Sequence, residues 1–138
     1  MADNFLNVEI ITPLKTVFSG YAESINVPGS KSPFTVLINH APIVSSLDIG
    51  IIKIKTNDNM ELVYATDTGF IEVNNNKVSI VVESADESNE IIRDKVIKAI
   101  EKLQTDLELT TDAFTQAKFK SLIKLNEIKL KVCQVANN

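Results

Sequence analysis

Hydrophobic and polar residues alternate in short runs through the first 83 residues of the chain. In the first run, Leu6, Val8 and Ile10 are separated by single polar residues. This period of two puts alternate side chains on opposite faces of a β-strand. The same alternation recurs in four later runs, at Ile25–Val27, Ile52–Ile54, Ile71–Val73 and Val78–Val82. The pattern therefore predicts a series of short, half-buried strands.

Turn-forming residues separate these predicted strands. All four glycines and all four prolines of the chain lie in this half, at Gly20, Gly29, Gly50, Gly69, Pro13, Pro28, Pro33 and Pro42. Asparagine-rich runs at 57–59 and 74–76 suit tight hairpins, because asparagine tolerates the left-handed backbone better than most residues. Turn signals at this spacing, with no helical pattern between them, predict an all-β antiparallel sandwich or barrel over residues 1–84, of which we favour the sandwich.

After Ser84 the period changes, and apolar residues recur every three or four positions, as on one face of a helix. The first stripe is Ile92, Val96, Ala99, Ile100, Leu103 and Leu107, and Ser84 or Asp86 is its predicted N-cap. The second stripe follows a capping cluster at 110–112 and runs Phe114, Ala117, Ser121, Leu125, Ile128, Val132 and Val135. The short linker predicts an antiparallel two-helix hairpin over residues 85–138, giving an α+β chain.

Composition narrows the class of protein. At 44% hydrophobic and 23% charged residues the chain is typical of globular proteins, and its apolar runs are too short for a membrane helix. The single cysteine, Cys133, forms no intrachain disulfide, and the N-terminal run has no signal-peptide pattern. These features favour a reducing, cytoplasmic compartment. A net charge of −4 argues against nucleic-acid partners.

The sequence offers no recognisable catalytic chemistry. It contains no Gly-rich phosphate loop and no nucleophile elbow. His40 and Cys133 are too far apart, on different predicted elements, to begin a zinc site. We therefore predict a protein without catalytic residues, metal or cofactor. The alternative class at this point is a free-standing adaptor or ligand-binding module with a helical interaction hairpin.

The charge is distributed unevenly. Residues 1–83 and 84–112 each carry a net charge of −4, whereas residues 113–138 hold five lysines against Glu127 alone, a net charge of +4. The predicted second helix is thus a basic element on an acidic protein. Two interpretations stay open: the lysines bind an acidic partner, or they form a solvated face that complements the acidic first helix.

The run Asn39-His40-Ala41-Pro42-Ile43-Val44-x-x-Leu47 resembles the epsilon subunit of bacterial F-type ATP synthases. The resemblance extends over the whole chain through further pieces in matching order: Phe18-Ser19-Gly20, Ile25-x-Val27-x-Gly29-Ser30, Gly50-x-Ile52-x-Ile54 and Gly69-Phe70-Ile71-Glu72-Val73. It implies a sandwich followed by a helical hairpin. It also implies a non-catalytic rotor subunit that couples ion flow through the c-ring to rotation and ATP synthesis.

The resemblance further implies the partners and the location. The sandwich would contact the gamma subunit and the ring of c subunits, on the cytoplasmic face of the bacterial membrane, with the membrane reached only through the complex. The two helices would in some states extend along gamma, meet an acidic segment of the catalytic beta subunits and inhibit ATP hydrolysis. The coupling ion, proton or sodium, and the resting position of the hairpin stay open.

The same resemblance implies roles for individual residues. Ser32 and Pro33 occupy the loop that would face the c-ring, where the family has a Gly-Glu-x-Gly turn, and proline makes this loop stiffer. His40 is a candidate contact to gamma, or a partly buried turn residue that satisfies backbone groups.

The basic helix supplies three more candidates, Lys118, Lys120 and Lys124, for the beta subunits. For ATP, only Glu90 and Arg93 keep the acid-x-x-Arg spacing of nucleotide-binding members, and the residues at both ends depart from the motif. We therefore expect weak ATP binding or none.

Overall fold

A computed structural model describes residues 4–136 of the chain, with side chains to residue 133. The described chain forms strands first and helices second. The strands are β1 Leu6–Ile11, β2 Thr16–Val27, β3 Phe34–Leu37, β4 Ile43–Leu47, β5 Gly50–Thr56, β6 Glu61–Thr66, β7 Gly69–Asn74, β8 Lys77–Val82 and β9 Ala85–Glu87. A short 3-10 turn, Ser88–Glu90, leads into helices α1, Arg93–Leu109, and α2, Ala113–Ala136. The predicted β-sandwich followed by a helical hairpin is confirmed.

The strands pair in the order β4-β7-β8-β1-β2-β5-β6-β9, and β3 pairs with β2 beside this path. The long β2 pairs with β1 through residues 16–22 and with β3 through residues 24–27. The sheet is mixed, since β1 runs parallel to β8. The prediction of a purely antiparallel domain was wrong for this pair. No hairpin joins these two strands, so chain connectivity does not dictate their relative direction.

Asparagine supplies the left-handed backbone at several tight turns. Asn75 and Asn76, with φ of 50° and 63°, form the two-residue turn between β7 and β8. Asn59, with φ of 67°, lies in the β5–β6 turn. Both predicted asparagine turns are confirmed. Asn39 also has a positive φ, 66°, a backbone conformation that asparagine adopts more readily than most residues.

The core follows the alternation of the strands. Leu6, Val8 and Ile10 of β1 are fully buried, and their neighbours on the opposite face are not. Ile71 and Val73 of β7 and Val78, Ile80 and Val82 of β8 are buried in the same way. The sandwich therefore has one contiguous apolar core, as the period of two predicts.

The two helices begin differently from each other. The N-cap of α1 is Ile92, with no side-chain cap, so the predicted caps Ser84 and Asp86 were wrong. The reason is that residues 85–87 form β9, which pairs with β6. The predicted cap of α2 is confirmed, because the backbone N–H of Thr115 donates to Asp112 Oδ2 at 2.8 Å. Thr115 also lowers the pKa of the Asp112 carboxyl by side-chain and backbone hydrogen bonds.

The hairpin lies against the sandwich, with α2 packed on β5, β6 and the 3-10 turn. Residues 1–3 and 137–138, and the side chain of Val135 in the predicted stripe, lie outside the described part of the chain. None of the described helices is both long enough and apolar enough to cross a bilayer. The predicted domain boundary at residue 84 stays a prediction, although strand pairing continues to Glu87.

Candidate functional site: surfaces for partner subunits

Three large apolar side chains are exposed together on the outward face of neighbouring strands. Phe70 of β7 pairs with Val81 of β8, and Val44 of β4 lies on the same face. Their exposed fractions are 62%, 52% and 72%. We call these three residues the outer patch. Clustered apolar exposure of this kind is typical of protein–protein contact surfaces.

Sequence reasoning missed the outer patch, although a signal was present. In β7, Ile71 and Val73 face the core, so Phe70 faces outward, where a polar residue is expected. Val81 breaks the alternation of β8 in the same way, between Ile80 and Val82. Large apolar residues at outward-facing positions of two paired strands therefore indicate such a surface.

A cavity of about 590 Å³ adjoins the outer patch. The residues that line it include the apolar Leu47, Phe70 and Val81 and the acidic Asp48 and Glu83. Asp48 is held by Ser30, whose Oγ donates to Asp48 Oδ1 at 3.2 Å. An apolar wall with carboxylates at its edge suits a partner side chain with an aliphatic stem and a basic end.

The loop that contains Ser32 and Pro33 is exposed and tightly turned. A Cβ at Gly29 would lie 2.6 Å from the carbonyl oxygen of Ser32, so the chain reverses there closely enough to exclude a side chain. Gly29 forms a bridge with Leu47 at the end of β4. The loop thus lies at the same end of the sandwich as the cavity.

His40 lies at the other end of β3 and is half-buried. Its backbone N–H donates to the carbonyl of Leu37 at 3.1 Å, and its Nδ1 lies 2.7 Å from the carbonyl oxygen of Ala41. Its ring centroid is 6.4 Å from that of Phe34. These contacts agree with the interpretation of a turn histidine that satisfies backbone groups. Phe34 directly follows Pro33, so this ring contact brings His40 close to the end of the loop that contains Ser32 and Pro33.

Lys118, Lys120 and Lys124 are all exposed on α2. Within residues 4–133, whose side chains the structure describes, no carboxylate forms an ion pair with any of these three lysines. Lys129 differs, because its Nζ lies 3.3 Å from Asp86 Oδ2. The three lysines are therefore accessible to a partner, and both interpretations of their role stay predictions.

Glu90 ends the 3-10 turn and Arg93 begins α1, and both residues are exposed. A nucleotide bound by these two side chains would remain largely in solvent, where charged contacts are weak. The expectation of weak or absent ATP binding stays a prediction.

Tyr64 is a buried titratable residue at the junction of sandwich and hairpin. It lies opposite Glu87 in the β6–β9 register and is 2% exposed. The pKa of Tyr64 is raised to about 12, and burial of the hydroxyl is the largest cause. The charge and the hydrogen bond of Glu87 raise this pKa further, and the charge of Glu90 adds to them. Each of these disfavours the phenolate.

This shift predicts a stability change at high pH. Because the pKa of Tyr64 rises from 10.0 to about 12 on folding, its contribution to stability is complete below pH 10 and is lost as the pH rises to 12. Phenolate absorbance should show a titration near pH 12 that Tyr64→Phe removes. Denaturant unfolding at pH 9 and pH 11.5 should show the wild type losing more stability than Tyr64→Phe. Equal losses would contradict the assignment.

Residues 5–88 match the family described as ATP synthase, Delta/Epsilon chain, beta-sandwich domain. Curated relatives extend the match. The chloroplastic ATP synthase epsilon chain of Emiliania huxleyi is 33% identical over 131 residues, which cover 95% of this chain and 98% of the relative. The ATP synthase epsilon chain of Desulfitobacterium hafniense is 34% identical over 107 residues, 78% of this chain and 80% of the relative.

Solved structures agree in fold. A chain of the Euglena gracilis mitochondrial ATP synthase aligns with 98% of this chain and 82% of its own length, at a TM-score of 0.80 and 18% identity. A chain of the Tetrahymena thermophila mitochondrial ATP synthase, from a central stalk and c-ring structure, gives a TM-score of 0.63 at 17% identity, covering 96% of each chain. The protein therefore belongs to the ATP synthase delta/epsilon chain family, among its epsilon chains. Membership favours a subunit of that complex over a free-standing adaptor.

Proposed function

We propose that this chain works as the epsilon subunit in the central stalk of an F-type ATP synthase, on the cytoplasmic face of a bacterial membrane. It is an accessory subunit of the synthase and not its catalytic part. Its role is to couple ion flow through the c-ring to rotation and ATP synthesis. The observation that carries the proposal is the outer patch of Val44, Phe70 and Val81 on a chain that matches epsilon chains over most of its length.

The surfaces of the sandwich suit two neighbours in a rotor. We assign the outer patch and its cavity to the gamma subunit, because exposed aromatic and aliphatic groups beside carboxylates fit a helical partner with apolar and basic side chains. We assign the tight loop with Ser32 and Pro33 to the c-ring. Proline fixes part of the backbone there, which lowers the entropy lost when a partner binds.

The hairpin suits a regulatory role. Lys118, Lys120 and Lys124 project to solvent from α2, so they are available to an acidic surface of the catalytic beta subunits. We propose that this contact restrains ATP hydrolysis when the hairpin leaves the sandwich.

The gamma assignment predicts a loss of binding on mutation of the outer patch. Phe70→Glu and Val81→Glu should each weaken binding to purified gamma at least about tenfold, because each places a charge in an apolar contact. Affinity measured by surface-immobilised gamma is the readout, and β-type circular dichroism confirms folding.

The matched control is Met60→Glu. Met60 is also an exposed apolar residue, at 57%, but it lies in the β5–β6 turn away from the outer patch. The Met60→Glu variant should bind gamma as the wild type does. If Phe70→Glu and Met60→Glu bind equally well, the outer patch is not the gamma surface. If the wild type does not bind gamma at all, the rotor assignment fails.

A further inference from the structure

The hairpin docks on the sandwich mainly through one end. α1 packs along α2, whereas α2 also contacts β5, β6 and the 3-10 turn. Among the side chains of α2 up to residue 133, those that are buried lie in its second half, at Leu125, Val132 and Cys133. Phe114, near the start of α2, is 81% exposed. The contact that holds the hairpin to the sandwich is therefore concentrated toward the C-terminal end of α2.

The base of this contact is apolar. Val132 is fully buried and packs with Val63 and Ala65 of β6, while Ile128 and Ile91 lie at the edge of the same cluster. This small group is separate from the main core of the sandwich. Its apolar area is modest, so releasing the helix costs far less than unfolding the domain.

One ion pair accompanies the apolar cluster. Lys129 Nζ lies 3.3 Å from Asp86 Oδ2, joining α2 to β9. The Lys129 side chain is 24% exposed and that of Asp86 is 44% exposed. Lys118, Lys120 and Lys124 are by contrast exposed, and none of them forms an ion pair with a carboxylate among the described side chains. The basic residues of α2 therefore fall into two groups with different surroundings.

We propose that Lys129, Asp86 and the Val132 contact form a latch that holds the hairpin in its docked position. The latch uses one lysine of α2 and leaves Lys118, Lys120 and Lys124 to another partner. Because the contact is small and partly solvated, a modest change in its free energy shifts the ratio of docked to released chains. The latch is a property of the chain alone, and only its effect on hydrolysis rests on the proposed function.

The chain contains its own reporter of release. Cys133 is the single cysteine, is 4% exposed, and places its Sγ 3.8 Å from the carbonyl oxygen of Ile91. A thiol reagent reaches this sulfur when the end of α2 leaves the sandwich. The labelling rate in buffer, divided by the rate in denaturant, therefore measures the released fraction. The division removes the effect that each substitution has on the reactivity of the thiol in the unfolded chain.

The experiment labels the full-length chain with a thiol reagent in the absence of other subunits. Lys129→Glu and Asp86→Lys should each raise the normalised rate about fivefold or more, because each replaces an attraction with a repulsion. The double variant, with the charges exchanged, should return to within about twofold of the wild type. Fraying of the last turn of α2 alone does not require the ion pair to break, so it would not respond to Asp86→Lys.

Two further variants complete the test. Lys131→Glu makes the same charge change at an exposed residue of α2, and it should leave the normalised rate near that of the wild type. Val132→Ala should raise the rate about tenfold by removing buried apolar contact. The latch is overturned if the single charge reversals label like Lys131→Glu, or if the exchanged double variant stays as reactive as the singles.

The consequence for hydrolysis has a separate readout. In a reconstituted synthase head, Lys129→Glu should strengthen inhibition, since more hairpins are released. If labelling behaves as expected and inhibition does not change, the latch stands and the proposed regulatory role of the hairpin fails.

Discussion

Replacing Lys118, Lys120 and Lys124 together by Glu is expected to relieve inhibition of ATP hydrolysis, raising the rate about threefold or more at low salt. The three side chains are exposed and lie outside the docked contact of α2, so the change alters a partner surface and leaves the latch intact. Reversed charge turns attraction to an acidic surface into repulsion. The assay is ATPase activity of the soluble head reconstituted with each variant.

Salt and truncation supply the controls for this experiment. Inhibition by the wild type should weaken at raised salt, because exposed charges are screened, and the triple variant should respond little. A chain that ends after Glu90 keeps the nine strands of residues 4–136 and lacks both helices of that range, and it should not inhibit. Binding to gamma should persist in both variants, since the outer patch is unchanged. If the triple variant and the truncated chain both inhibit as strongly as the wild type, the helices have no regulatory contact.

Gly69→Ala is expected to lower the free energy of unfolding by about 3 kcal/mol or more. A Cβ at this position would lie 2.0 Å from the carbonyl oxygen of Val81 and 2.7 Å from Val82 Cα. Both are backbone atoms of the paired strand β8, so relief requires β7 and β8 to separate. Thermal unfolding followed by circular dichroism should show a midpoint lower by roughly 10 °C or more.

Gly20→Ala is the matched control. The nearest atom to a Cβ there is at the far end of the Phe18 ring, 3.1 Å away, and a side chain can rotate where a backbone cannot. Its expected loss is below about 1 kcal/mol. Equal losses for the two variants would show that the close approach at Gly69 does not limit stability. Because Gly69 starts the strand that carries Phe70, Gly69→Ala should also weaken gamma binding.

The sequence predicts most of the fold because the relevant patterns are local. Alternation in β1, β7 and β8 assigns their buried faces, and the asparagine turns mark the hairpins. Asp112 is recognisable as a cap because its partner lies three residues away. The predicted N-cap of α1 was wrong because a strand pairing between distant residues decides where this helix begins. Ser84 and Asp86 are good capping residues, yet pairing of β9 with β6 moves the helix start to Arg93.

The remaining features also fall into those that the sequence predicts and those that only the structure shows. The sequence alone determined a sandwich, a hairpin, a basic second helix and the absence of recognisable catalytic motifs, since these depend on residue type and short spacing. Only the tertiary structure decided that β1 lies parallel to β8 and that Lys129 meets Asp86. The paired residues are 70 positions apart in the first case and 43 in the second. Contacts over such separations are set by the packing of whole elements, which no local pattern records.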